Sequence, residues 1–299
     1  MQSTVTRERS SRIGASDAAA ILGISSYATP VERSSLGYKV WLEKTGRAEP
    51  WKGNDATKIG TELEPLLLGY AEQDLGDLQR NVFIPAPNGL PIGATLDAQV
   101  IATGDVVEAK TSGMKKGAPV VGYWGEEGTD HIPQEYLVQT QLQMFCAGAE
   151  VAHVYALLGG WPVSKYLVRY DNELAEALTE QLTNWWTAHV ICDVPPDAST
   201  VTPEILKRVI RKPESVIEID QTATFRLRTI IDDLEMVKAK KKEIEEQAEL
   251  LQGQLILALG DSEAAKLADG TQITYLESHR KGYTVQPKSY RTLRIKEAK

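Results

Sequence analysis

Asp97 and Glu108 stand eleven residues apart, and Lys110 follows Glu108 by two in the apolar, β-prone run Val106-Val107-Glu108-Ala109-Lys110. On a strand, residues two apart face the same side, so Glu108 and Lys110 project together. Paired carboxylates suit Mg²⁺, which takes hard oxygen ligands and binds through one or two carboxylates plus substrate phosphate. A lysine beside them can orient an attacking water and offset negative charge developing at phosphorus. This is the equipment of a metal-dependent phosphodiesterase. Taken alone, Glu-x-Lys is common on solvated strand faces. Here Val106 and Val107 make the strand partly buried, where a charge needs a partner.

The elements that must position these groups can be read from the flanks. Ile92 to Ile101 is a second strand-like run carrying Asp97, and Ala102-Thr103-Gly104-Asp105 reads as the hairpin turn between the two. The hairpin brings Asp97 near Glu108. Upstream, Val31–Lys44 and Ile59–Leu75 read as helices, with Gly46 and Gly76 as stops, and Gly53-Asn54-Asp55 as a turn between them. Val82–Ile84 is a short strand. Downstream, Thr111 to Asp130 is a long irregular loop carrying Lys115, Lys116 and Trp124, which could meet DNA through charge or base stacking. Pro133–Ala147 reads as a helix, Ala149–Leu158 and Val163–Tyr170 as strands, and Asn172–Val190 as an amphipathic helix whose Trp185-Trp186 pair belongs to the core. This order predicts a mixed sheet flanked by helices.

Near the N-terminus, Ser16 and Asp17 read as an N-cap before Ala18–Leu22, closed by Gly23. A helix N-terminus offers free N–H groups to a phosphate, and Arg12 could add a bidentate grip. On their own, these residues read as an ordinary cap and a surface arginine.

A Pro/Asp/Ser/Thr-rich stretch from Asp193 to Pro203 marks a boundary. Beyond it, apolar residues alternate by three and four from Leu227 to Ala258, with one polar break at Lys241. The pattern predicts a helix from about Thr222 to Leu259, roughly 55 Å long. Such a stripe must pack on a partner helix, on the core, or on another subunit. Short strands are expected over Thr271–Leu276, Tyr283–Val285 and Tyr290–Ile295, in a tail biased toward basic residues.

A chain of 299 residues with 42% hydrophobic and 25% charged residues is that of an ordinary globular protein with room for a catalytic domain and an appendage. No run approaches a membrane span, and the polar N-terminus lacks a signal peptide's apolar stretch, so a cytoplasmic location in a bacterial or phage-infected cell is expected. The two cysteines, Cys146 and Cys192, cannot build a four-thiolate site and read as buried free thiols. The net charge of −8 requires any DNA-binding charge to be local, as at Lys207-Arg208, Arg211-Lys212 and the C-terminal basic set. The Lys238–Lys242 run is flanked by acids and reads as a solvated face.

Four segments in order resemble the YqaJ-type viral recombinases, relatives of lambda exonuclease within the PD-(D/E)XK nuclease superfamily: 12–23, Gly60–Pro65, the Asp97 and Glu108-x-Lys110 set, and Pro133–Met144. The resemblance covers about the first two-thirds of the chain; Leu96 stands where the superfamily's name implies proline. It implies an α/β (α+β) fold, a mixed central sheet flanked by helices, with a long C-terminal helix and a small β extension. The nuclease domain would span 1–195, a linker 196–221, and the extension 222–299. Asp97, Glu108, the Ala109 carbonyl and Glu64 would be metal ligands. Lys110 would be the catalytic lysine with Gln139 beside it, and Tyr136 and Gln141 would stand in second rank. Arg12 and Ser16 would grip a 5′-terminal phosphate, while Glu62 would be solvated. The implied activity is a Mg²⁺-dependent 5′→3′ exonuclease on linear double-stranded DNA, with Mn²⁺ an accepted substitute. It would leave 3′ tails for a single-strand annealing protein, and a trimeric ring is the implied homo-oligomer. The alternatives are a structure- or sequence-specific endonuclease on the same core and a non-catalytic recombination scaffold recruiting through the Leu227–Ala258 seam.

Overall fold

The computed structural model describes residues 11–48, 53–113, 120–160, 162–198 and 218–277. The chain separates into two compact units, Met1–Arg211 and Lys212–Lys299. The expected linker and the basic pairs at 207–212 fall largely or wholly outside the described residues, as do Lys115, Lys116 and the strands expected at 283–285 and 290–295.

The first unit is built on a six-stranded mixed sheet. Its strands are β1 (Ile13–Gly14), β2 (Leu78–Pro85), β3 (Ile92–Val100), β4 (Val106–Ser112), β5 (Val151–Leu158) and β6 (Val163–Arg169). The order is β1-β3-β4-β5-β6, with β2 also paired to β3. β4 runs parallel to β5 along its whole length, from Val106 opposite Ala152 to Ser112 opposite Leu158. A parallel pair buries both faces and needs a crossover. The crossover contains helix α4 (Gln134–Ala147), after α1 (Ala18–Ile21), α2 (Pro30–Lys44) and α3 (Asp55–Leu75). Strand periodicity divides the core. Ala152, Val154 and Ala156 of β5 join one buried cluster with Val138 and Leu142 of α4, while Tyr155 and Leu157 join another with Leu67 and Leu68 of α3. The sheet therefore lies between α3 on one face and α4 with α5 (Asn172–Trp185) on the other.

Several elements start or end where local chemistry differs from the pattern. The turn expected at Gly53-Asn54-Asp55 is the cap of α3, since Asn54 Oδ1 accepts from the Thr57 amide at 3.0 Å. The expected cap at Ser16 is absent. The chain enters α1 through a 3₁₀ turn, and Asp17 reaches back to accept from the Gly14 amide at 2.9 Å while pairing with Lys44 at 2.7 Å. α5 ends at Trp185 and continues as a π-helical turn over Trp186–Ile191, placing Trp186 in the core as expected. Cys146 is buried, but Cys192 is exposed, because the π turn carries it out of the packed layer. Trp124 is partly buried in an aromatic cluster. Its ring lies 5.6 Å from that of Tyr136 and 5.2 Å from that of Tyr166.

The second unit contains α6 (Gln221–Leu259), close to the expected span, started by Asp220 accepting from the Ala223 amide. A hairpin of β7 (Ala264–Lys266) and β8 (Gln272–Thr274) follows. β7 was not expected from sequence, and β8 is the core of the strand expected at Thr271–Leu276. Among the described residues no helix is long and apolar enough to cross a membrane.

Candidate active site

β3 and β4 form only a short ladder, with Ala98 opposite Val107 and Gln99 opposite Val106. Beyond it the strands part, and the Asp97 carboxylate fills the gap by accepting from the Ala109 amide at 2.9 Å. The hairpin thus delivers Asp97 to Glu108, and the strand period delivers Lys110 to the same side as Glu108.

Glu108 is only 2% exposed and is held by three donors. Lys110 Nζ donates to its Oε1 at 2.5 Å, Gln139 Nε2 to the same oxygen at 2.6 Å, and Gln143 Nε2 to Oε2 at 2.6 Å. Lys110 also donates to Gln139 Oε1 at 3.1 Å, and its ammonium lies 4.7 Å from the Tyr136 ring centre. Gln139 therefore touches both members of the Glu-x-Lys pair. Gln143 was missed by sequence reasoning. Its signal is the four-residue spacing from Gln139, which puts both amides on one face of α4.

Tyr136 donates or accepts through a 2.5 Å contact between its hydroxyl and that of Tyr27, a cleft residue not foreseen from sequence. The loop carrying Tyr27 is pinned to α4, because the buried Glu135 carboxylate accepts from the Ser26 amide and hydroxyl. Gln141 is directed elsewhere. It is two residues from Gln139, hence on another helix face, and it spends its amide on the Arg169 carbonyl and the Asp171 amide.

Glu64, Asp97, Glu108, Ala109, Lys110, Tyr27 and Tyr136 line one cleft of about 570 Å³. Glu62 is exposed, whereas Glu64 is partly buried and faces the cleft. Burial and the neighbouring Glu108 charge push the Asp97 carboxyl up to about 8. Burial and Glu108 also raise that of Glu64. Burial opposes the Lys110 charge, but Glu108 and Asp97 outweigh it and hold the ammonium above its usual range. Arg12 and Ser16 line a second, smaller pocket with Phe83, Thr95 and Gln139. Gln139 thus lines the smaller pocket while bonding to Glu108 and Lys110, which line the cleft. Arg12 also donates to the Leu90 carbonyl at 3.1 Å.

Among the described residues no group of three or more His, Cys, Asp or Glu side chains is arranged to hold a metal ion. The donor chemistry nonetheless fits a hard dication. The Glu108 charge raises the pKa of both Asp97 and Glu64, and a bound cation would relieve that repulsion. Asp97, Glu108, Glu64 and the Ala109 carbonyl are the oxygen donors in that cleft.

The raised Asp97 pKa has a stability consequence of definite sign. The folded protein holds a proton that the unfolded chain releases, so this group's contribution is intact below the ordinary carboxyl range and is lost as pH rises through about 8. Asp97→Asn, which keeps an oxygen for the Ala109 amide, should therefore melt higher than the parent protein in EDTA. The gain should be absent near pH 4 and reach about 1–2 kcal/mol at pH 8 or above. Thermal melts across that range check it.

A mixed sheet with an acid, an acid-x-lysine strand and a glutamine-bearing helix resembles the core of the PD-(D/E)XK nucleases. Residues 6–150 match the family described as the YqaJ-like viral recombinase domain. The chain is 28% identical over 263 residues to the YqaJ protein of Bacillus subtilis (strain 168), covering 86% of this chain and 77% of that one. Among solved structures, the alkaline exonuclease LHK-Exo from Laribacter hongkongensis overlaps 62% of this chain and 90% of its own, with a TM-score of 0.46 and 19% identity. A phage related exonuclease from Haemophilus somnus 129PT overlaps 61% and 96%, with a TM-score of 0.42 and 13% identity. Over residues 6–150 the chain is similar to the YqaJ-like recombinases of the PD-(D/E)XK nuclease superfamily. Nuclease chemistry on DNA is the level of function that this similarity supports.

Proposed function

We propose that the protein is a Mg²⁺-dependent exonuclease that degrades the 5′-ended strand of linear duplex DNA. The observation that carries the proposal is the convergence of Asp97, Glu108 and Lys110, with Gln139 bridging the last two, in a single open cleft. Asp97, Glu108, the Ala109 carbonyl and Glu64 are the residues that would hold the metal. When bound, Mg²⁺ supplies Lewis-acid polarisation of the scissile phosphate and lowers the pKa of water.

The chain's own groups do the rest. Lys110, anchored by Glu108 and Gln139 and backed by the Tyr136 ring, orients the attacking water through its ammonium. It also offsets charge as the phosphorane forms. Gln139 and Gln143 fix Glu108, so Lys110 does not have to search for its position. Arg12 and Ser16, in the pocket that Gln139 also lines, would hold the 5′-terminal phosphate. A terminal site makes cleavage depend on an end, which separates this reading from an endonuclease on the same core. The 3′ tail produced is the substrate of a single-strand annealing protein, and family resemblance favours a ring-shaped trimer around DNA. In this reading residues 1–195 are the nuclease domain and 222–299 the accessory part.

The test is digestion of linear duplexes bearing a 5′-phosphate or a 5′-hydroxyl, labelled on either strand, beside closed circles, with Mg²⁺ or EDTA. Mg²⁺-dependent loss of the 5′-phosphorylated strand with circles intact is the expected result. Arg12→Ala should erase most of the preference for a 5′-phosphate, about 10–100-fold, while still cutting the 5′-hydroxyl duplex at the parent rate. Cleavage of circles would turn the assignment to an endonuclease, and no cleavage with any divalent metal would leave a binding scaffold.

A further inference from the structure

Most of the apolar seam of the long helix α6 is exposed, from 44% at Leu227 to 64% at Ile244, with Leu234 partly buried. Its acids and bases alternate in sign instead of forming a basic stripe, which does not suit a DNA backbone. The seam carries its own specification for an occupant. We propose that α6 pairs with α6 of a second copy of this chain, antiparallel, about a two-fold axis passing between Lys242 and Glu243.

In that register each seam residue of one helix meets a seam residue of the other type on its partner. Leu234 faces Leu251, Ile230 faces Leu255, and Lys241 faces Ile244. The remaining layers match large to small, Leu227 to Ala258 and Val237 to Ala248, so the helices stay evenly spaced. The flanks match in charge, because Lys238 of each copy falls beside Glu245 of the other. A parallel pair would bring Lys241 against its own copy in the seam and stack alanine on alanine at Ala248 and Ala258. It would gain charge pairs of Asp233 with Lys238 and Lys240 with Glu245, but these are exposed flanking contacts worth little each. A like-charge pair inside the seam costs more than they return. Lys241 and Lys242 now lie near Glu245 and Glu246 of their own helix, at 3.5 and 3.6 Å, so both cations have acids within reach on the surface. The pairing does not depend on the nuclease reading.

The test uses the full chain. Sedimentation equilibrium should show the particle mass halving on Val237→Asp, with the far-UV helical signal retained. Lys238→Glu should weaken self-association about tenfold, and Lys238→Glu with Glu245→Lys should restore it. Orientation follows from cysteines placed in a Cys192→Ser background. Leu227→Cys mixed with Ala258→Cys should give a disulfide between the two variants under mild oxidation, and neither variant alone should cross-link. A parent protein that is monomeric at roughly 50 µM, a mass untouched by Val237→Asp, or cross-linking of each variant with itself would overturn the proposal.

Discussion

Replacing Lys110 by methionine is expected to lower the rate of duplex cleavage about 10³-fold, with DNA affinity close to the parent value. The magnitude follows from what the ammonium touches. It is pinned by Glu108 and Gln139 and lies over the Tyr136 ring in the cleft, so no other described lysine or arginine lines that space. Methionine keeps the length of the side chain and removes only charge and donors. The loss should fall on the single-turnover rate and not on binding, measured with excess enzyme and by fluorescence anisotropy of labelled duplex in Ca²⁺. A fall of tenfold or less would show that the lysine is a structural counter-ion. The substitution leaves Glu108 with its two amide donors, so the melting temperature provides the control for folding.

The second large effect is on stability. Glu108→Ala removes the acceptor of Lys110, Gln139 and Gln143 together, in a place that is 2% exposed. A buried ammonium then loses its nearest counter-charge, and two amides lose their shared partner. Breaking one side of such a pair costs about 3–5 kcal/mol. The sign of the pH dependence is also fixed. Removing Glu108 takes away the largest interaction that raises the Lys110 pKa and leaves burial to lower it from the parent's value. The folded variant then holds the Lys110 proton less tightly than the folded parent, so the stability gap between the two narrows as pH rises toward the ordinary lysine range. Denaturant melts of parent and variant from neutral to alkaline pH measure the difference. A variant as stable as the parent at neutral pH would mean that Lys110 swings out to solvent.

How much of this was legible before the fold was known depends on the range of each interaction. Asp97, Glu108 and Lys110 could be placed because a hairpin and a period of two are local properties of a short segment. Glu64 could be chosen over Glu62 only by family spacing, since which of them faces the cleft depends on how α3 is rotated against the sheet. Gln141 was misplaced, and Gln143 missed, for the same kind of reason. Both lie on a helix the sequence predicts, but the face that meets Glu108 is set by packing against β3 and β4. Ser16 looked like a cap because Ser-Asp before an alanine run usually is one. The side chain of Asp17 instead finds Gly14 and Lys44, the latter from another helix. The packing of Trp124 is hidden in the sequence for a similar reason, because its partners Tyr136 and Tyr166 are distant along the chain.

The parallel pairing of β4 with β5 has a consequence for synthesis. Glu108 and Lys110 are placed by a strand whose parallel partner begins at Val151, after the helix that supplies Gln139 and Gln143. Closing that loop precedes any reward from its contacts, which makes parallel pairing a late step in folding. A nascent chain on the ribosome therefore carries both carboxylates and the lysine well before it can aim them. On the proposed reading, nuclease competence waits until β5 has emerged and docked, and chains cut short before that point are inert toward DNA.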